Sequence, residues 1–171
     1  MTADTPPTDA DLDAAARELG EALTERGWQM AAAESCTGGL VGHVITQVPK
    51  SSDHFLGGIV SYSDEVKKDL LSVPAELLER VGAVSPEVAE AMARGALARF
   101  DVARVTVAVT GIAGPDGGSP GKPVGLTFVA AAMRDGAAIV ERHEWPFDRD
   151  GNKRASALAA LRLAARMVSE G

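Results

Sequence analysis

The sequence predicts a single α/β domain, a mixed β-sheet layered with helices. Three observations carry that prediction. Short apolar or β-branched runs alternate with longer amphipathic ones, the last two short runs form a hairpin, and 171 residues suit one hydrophobic core. Strand–helix alternation makes parallel neighbours, and a hairpin adds antiparallel ones.

The elements follow in chain order. Residues 1–8, which include the Pro/Thr run "TADTPPT", are expected to be a disordered tail before a domain spanning 9–171. From Asp9 to Arg26, the residues Leu12, Ala15, Ala16, Leu19, Ala22 and Leu23 recur at helical spacing, and Gly27 stops the helix. "WQMAAAE" reads as a buried strand, and "CTGGLVGHVITQV" as a helix starting near Thr37. "PKSSDHFLGG" has turn chemistry, "GIVSYS" is a second strand, and "SDEVKKDLLSV" is a short helix capped by Ser63 or Asp64. "PAELLERVG" and "SPEVAEAMARGALARF" predict two helices with proline at the first position, the second capped by Ser85. "ARVTVAVTG" is β-branched and reads as a strand. "GIAGPDGGSPGKPVG" packs six glycines and three prolines into fifteen residues, so it forms a loop. "VGLTFVAAAM" and "AAIVERHEW" pair around "RDG", and Asn152 to Ser169 closes the chain as an amphipathic helix.

Composition excludes several classes of function. With 46% hydrophobic and 24% charged residues the chain is globular rather than disordered or collagenous. No apolar run approaches the ~18 residues of a membrane span, and "MTADTPPTDADL" has neither the basic start nor the apolar stretch of a signal peptide. A cytoplasmic protein without a membrane partner is expected, and the single Cys36 agrees with a reducing compartment. Of the net charge of −7, residues 1–26 carry −5. An acidic isoelectric point of 4.9 without a basic stripe argues against a nucleic-acid partner.

The chemistry concentrates in "AAAESCTGGL", where a strand turns sharply into a helix and exposes backbone N–H groups at a sheet edge. On this register Ser35 stands at the apex and Cys36 points inward; Thr37 caps the helix, and Gly38 and Gly39 allow close approach to the backbone. Spacing alone also fits a Ser35 or Thr37 that only caps the helix, the commoner arrangement. A nucleophilic serine needs an activator. His43, His54 and His143 fall in no triad pattern, whereas Tyr62 at a strand end and Lys67 or Lys68 on the next helix can lean toward the same edge. A lysine base must lose its proton about three pH units below its usual ~10.4, at a cost of about 4 kcal/mol, and therefore needs burial. Lys68 reads as a solvated partner of Asp64 and Glu65.

"AESCTGGL", "GGIVSYSDEVKKDLLSV", "GAVSPEVAEAMARGA" and "VTGIAGPDGGSPGKPVGLTFVA" resemble successive blocks of the CinA C-terminal domain family, in order from about Glu18 to Val168. Stand-alone members of that family are nicotinamide-nucleotide amidohydrolases. The resemblance implies hydrolysis of the carboxamide of nicotinamide mononucleotide to nicotinate mononucleotide and ammonia. It implies Ser35 as nucleophile, Lys67 as its base and Tyr62 beside them. It further implies substrate contacts at Thr37, Gly38, Thr110, Gly111 and Arg149, with oxyanion donors near Gly38 or Gly111. Lys122, in the glycine-rich loop, is expected near the phosphate. No cofactor is implied, and no metal, because the acids and histidines show no ligand spacing. The implied partners are a small nucleotide substrate and a second copy of the chain in a homodimer. The chain differs from the family pattern at Asp64, where asparagine is usual, and at Asn152–Lys153, where a hydrophobic residue and arginine are usual. A nucleotide-binding regulatory module and an amidase for another carboxamide are the competing readings.

Overall fold

Residues 5–171 are described by a computed structural model of the chain; residues 1–4 of the expected tail lie outside the described residues. Thr8, the last tail residue, caps helix α1 (Asp9–Arg26): its side chain accepts from Asp11 N–H, and the Asp11 carboxylate accepts from Thr8 N–H. The remaining elements are β1 (Met30–Glu34), α2 (Leu40–Gln47), a 3-10 turn (Ser51–Asp53), β2 (Phe55–Val60), α3 (Asp64–Leu71), α4 (Ala75–Val81), α5 (Pro86–Arg99), β3 (Val105–Gly111), β4 (Leu126–Met133), β5 (Ala138–Glu144) and α6 (Arg149–Glu170). No helix among the described residues is long and apolar enough to cross a membrane.

The sheet order is β2-β1-β3-β4-β5, with β1 parallel to both β2 and β3 and the last two strands antiparallel. Strand residues alternate between two cores. Val105, Val107 and Val109 of β3 face Leu19, Ile45 and Leu161 of α1, α2 and α6. Ala108, with Phe128 and Ala130 of β4, faces Leu71, Leu78 and Met92 of α3, α4 and α5. The chain leaves β1 through α2 on one face and returns from β2 to β3 through α3–α5 on the other. Its direction of winding therefore reverses between β1 and β3, and the crevice beyond their C-terminal ends is where open α/β sheets bind ligands.

Four element boundaries differ from expectation. The second strand spans Phe55–Val60 rather than the expected residues 58–63, because it pairs with β1 from Phe55 on. The helix expected from Thr37 starts at Leu40, because Gly38 (φ 63°) and Gly39 (φ 99°) are left-handed and form a separate turn. Pro74 is the N-cap of α4 rather than its first helical residue, whereas Pro86 and Ser85 of α5 stand as expected. The last helix begins three residues early, because the Asp148 side chain accepts from Gly151 N–H as its cap. Gly125 (φ 90°) makes a bulge opposite Ile112, whose carbonyl accepts from Gly125 N–H while Ile112 N–H donates to Leu126. This bulge ends the glycine-rich loop and aims it back at the crevice.

Candidate functional site

Ser35 follows the last residue of β1, and its N–H still donates to Val109 O of β3 at 2.9 Å, so the sheet fixes its backbone. Its side chain points into the crevice and is 8% exposed. Lys67 reaches it from α3, a helix started by Ser63, whose hydroxyl accepts from Val66 N–H. Lys67 shares its helix face with buried Leu71, four residues on, and this turns it inward while Lys68 faces solvent beside Glu65. Lys67 Nζ lies 3.1 Å from Ser35 Oγ, 2.9 Å from Ser61 O and 3.4 Å from Tyr62 O.

At 1% exposure Lys67 is among the most buried side chains of the molecule. Burial pushes its pKa below the usual lysine range, and the Asp64 carboxylate, 3.9 Å from Nζ, pulls in the opposite direction. Burial wins, because Asp64 is 51% exposed and its field is screened by solvent. Cys36, inward-facing as expected, has its thiol pushed up to about 12, chiefly by burial, so the neighbour of Ser35 is an inert thiol at neutral pH.

The two residues open into a cavity of about 190 Å³ that is also lined by Tyr62, Thr110, Gly111 and Arg149. Arg149, on the first turn of α6, donates to Gly114 O at 2.6 Å and to the Tyr62 hydroxyl at 3.3 Å. The Tyr62 phenol therefore stands with the arginine, at 62% exposure, and touches Lys67 only through its main-chain carbonyl. The Thr110 hydroxyl donates to Ala83 O at 2.8 Å, anchoring the end of β3 to the segment before α5. Gly111 faces Thr127 in a ladder where its neighbour Ile112 bonds Leu126. By alternation the Gly111 N–H turns from β4 toward the end of β1. A side chain at 111 would meet Leu126 O and Thr127 Oγ1 at 2.7 Å, so glycine is required there for packing.

Other expected residues stand elsewhere. Thr37 caps nothing: its hydroxyl is fully buried without a hydrogen-bond partner among the described residues. Gly38 N–H donates to Ser35 O, which removes it as an oxyanion donor. The Lys122 ammonium donates to Val81 O at the C-terminus of α4, just before Ala83 and Val84, which line the cavity. His54 is buried against Gly20, His43 pairs with Gln47 and His143 with Glu141, so none reaches Ser35. Asn152 has a structural task, donating to Ala113 O at 3.0 Å and accepting from Phe147 N–H at 3.1 Å. Lys153 Nζ would lie 3.9 Å from a Cβ placed at Gly38, which brings a cation to the rim of the turn.

Two participants escaped sequence reasoning. Ser61 supplies the main-chain acceptor that holds Lys67, and nothing in its local sequence marks it. Glu34 takes the capping role assigned to Thr37: it accepts from Gly39 and Val41 N–H at 3.0 Å and from Gly42 N–H at 2.9 Å. A carboxylate ending the apolar run "MAAAE" before two glycines was the available signal.

Comparison with known proteins identifies the family. The chain is 49% identical to the nicotinamide-nucleotide amidohydrolase PncC of Pseudomonas putida, over 85% of this chain and 90% of that protein. It is 52% identical to a CinA-like protein of Desulfotalea psychrophila over 74% of its length but spans only 30% of that relative, so it covers about a third of the longer curated relatives it matches. The crystal structure of a competence/damage inducible protein from Agrobacterium tumefaciens superposes with a TM-score of 0.89 at 36% identity, covering 96% of this chain and 99% of that one. A competence damage-inducible protein from Klebsiella pneumoniae gives 0.88 at 32% identity, over 92% and 97% of the two chains. The family model described as CinA C-terminal domain matches residues 12–168, and the chain belongs to that family.

Proposed function

We propose that the protein hydrolyses the carboxamide of nicotinamide mononucleotide, with Ser35 as nucleophile and Lys67 as general base. One observation carries the reading: the Ser35 hydroxyl meets a lysine that burial drives toward its neutral form. A neutral amine has two N–H groups and one lone pair. The carbonyls of Ser61 and Tyr62 take the two N–H groups, and the lone pair then accepts from the Ser35 hydroxyl. Lys67 removes that proton as Oγ bonds to the carboxamide carbon, and the resulting oxyanion receives the Gly111 N–H. Lys67 returns the proton to the departing ammonia, the C–N bond breaks, and an ester on Ser35 remains. Water, deprotonated by Lys67, cleaves the ester to release nicotinate mononucleotide and restore the serine.

The cavity supports a small acyl group. At about 190 Å³ it lies below the ~300 Å³ of pockets for drug-sized ligands, which suits one ring and its amide. The ribose phosphate then lies outside, toward Arg149 and Lys153 on successive turns of α6. The name of the Pseudomonas putida relative supports the same substrate. Ammonia and nicotinate mononucleotide released in equal amounts test the proposal. Binding of the nucleotide without ammonia would favour a regulatory binding module instead.

Asp64 supplies a graded test of the lysine's role. Its charge raises the Lys67 pKa, so Asp64→Asn lowers it, and the neutral base is populated at lower pH. The rising limb of kcat/KM against pH is expected to move to lower pH in this variant, by a small amount because Asp64 is half exposed.

A further inference from the structure

Glu34 is a charged side chain, 2% exposed, with no part in the steps above. Its carboxylate accepts three N–H groups, from residues five, seven and eight positions on. The bonds close a ring from the end of β1 to the start of α2, and Ser35 is the first residue inside it. A second bond, Gly38 N–H to Ser35 O at 3.1 Å, braces the turn within the ring. The main chain of Glu34 is tied on the other side, where its carbonyl accepts from Ser61 N–H at 2.7 Å. Ser61 O in turn receives Lys67 Nζ at 2.9 Å. One residue thus joins the turn that presents Ser35 to the strand end that holds Lys67.

A hydroxyl cap has one oxygen and cannot span donors on Gly39, Val41 and Gly42. A carboxylate has two oxygens and a charge that suits the positive end of a helix. Resting on the serine–lysine reading above, we infer that Glu34 is a positioning residue that sets Ser35 Oγ against Lys67 Nζ through this clamp. By filling the start of α2 it also leaves no free amide there at Gly39, Val41 or Gly42 for a ligand.

The test uses two variants of the full chain and two readouts. Glu34→Gln keeps the volume but sets an amide N–H against backbone N–H groups; Glu34→Ala removes the clamp. Labelling of Ser35 by a fluorophosphonate reports its reactivity without the nucleotide, and steady-state hydrolysis of nicotinamide mononucleotide separates kcat from KM. A misplacement of about 1 Å costs on the order of 10²-fold, so labelling rate and kcat are expected to fall together by about that factor, with KM nearly unchanged. Added acetate is expected to restore part of the loss in Glu34→Ala and none in Glu34→Gln, because only the former has room for a replacement carboxylate. A folded Glu34→Gln variant that labels at the wild-type rate overturns the inference, as does a loss confined to KM. Failure of both variants to fold by circular dichroism also overturns it, since Glu34 would then serve the fold rather than the serine. If the wild type labels at Ser35 but releases no ammonia, the substrate reading fails and the labelling comparison still decides the role of Glu34.

Discussion

Ser35→Ala is expected to reduce ammonia release from nicotinamide mononucleotide by at least ~10³-fold while nucleotide binding, followed by calorimetry, stays within a few-fold of wild type. The asymmetry follows from what the oxygen does. Without Oγ no ester forms, and water would have to attack the carboxamide directly, helped only by the remaining donors and by proximity. On the proposed reading, binding rests on other groups: the cavity walls, Arg149 and the rim cation Lys153. The substitution removes one oxygen at a site fixed by the β1–β3 ladder and fills no new space, so the melting temperature should hardly move. Substantial residual turnover in Ser35→Ala would mean that water attacks first and that the serine only orients the amide.

Lys67→Met carries the second large effect, and it separates catalysis from stability. Removing the base is expected to lower kcat/KM by ~10²–10⁴-fold, the usual contribution of a positioned general base. Stability should respond differently with pH. In the folded protein burial holds the lysine pKa below its ordinary value of 10.5, whereas in the unfolded chain it returns there. Between the folded pKa and 10.5 the unfolded chain binds more protons, so wild-type stability rises with pH across that window. The Met variant lacks this dependence. Its stability relative to wild type is therefore greatest below the folded pKa and declines as pH rises toward 10.5, as denaturant melts at several pH values would record. Parallel curves for the two proteins would show that Lys67 stays protonated in the fold, and the base role would fall with it. The two main-chain carbonyls left without their donor set the offset between the curves, not their slopes.

Legibility of the fold in the sequence tracked the strength of local signals. Helix α5 was plain, because Ser85, Pro86 and a long apolar stripe agree with one another. The strand β3 was plain because valines alternate over most of its length. The second strand was placed late: "HFLGG" looks like a turn, yet Phe55 to Gly58 extends because it pairs with β1, and pairing is not encoded in its own residues. The turn at 35–39 was read with the wrong cap. Thr37 is a good N-cap by type, but the two left-handed glycines delay the helix until Leu40, and a glutamate from the preceding strand takes its start.

The candidate site divides along the same line. The sequence by itself offered Ser35, a choice of Lys67 or Lys68 and the glycine turn, and its resemblance to one family selected Ser35 and Lys67, added Arg149 and implied amide chemistry. It also set the acidic surface and a strand–helix order that produces a mixed sheet. Only the tertiary structure decided that residues 32 positions apart meet at 3.1 Å, that the tyrosine phenol belongs with Arg149, and that Glu34 rather than Thr37 closes the turn. The physical reason is that an amine's proton affinity depends on how much water surrounds it. The elements packed around Lys67 together exclude that water, and no local stretch of the chain records their sum.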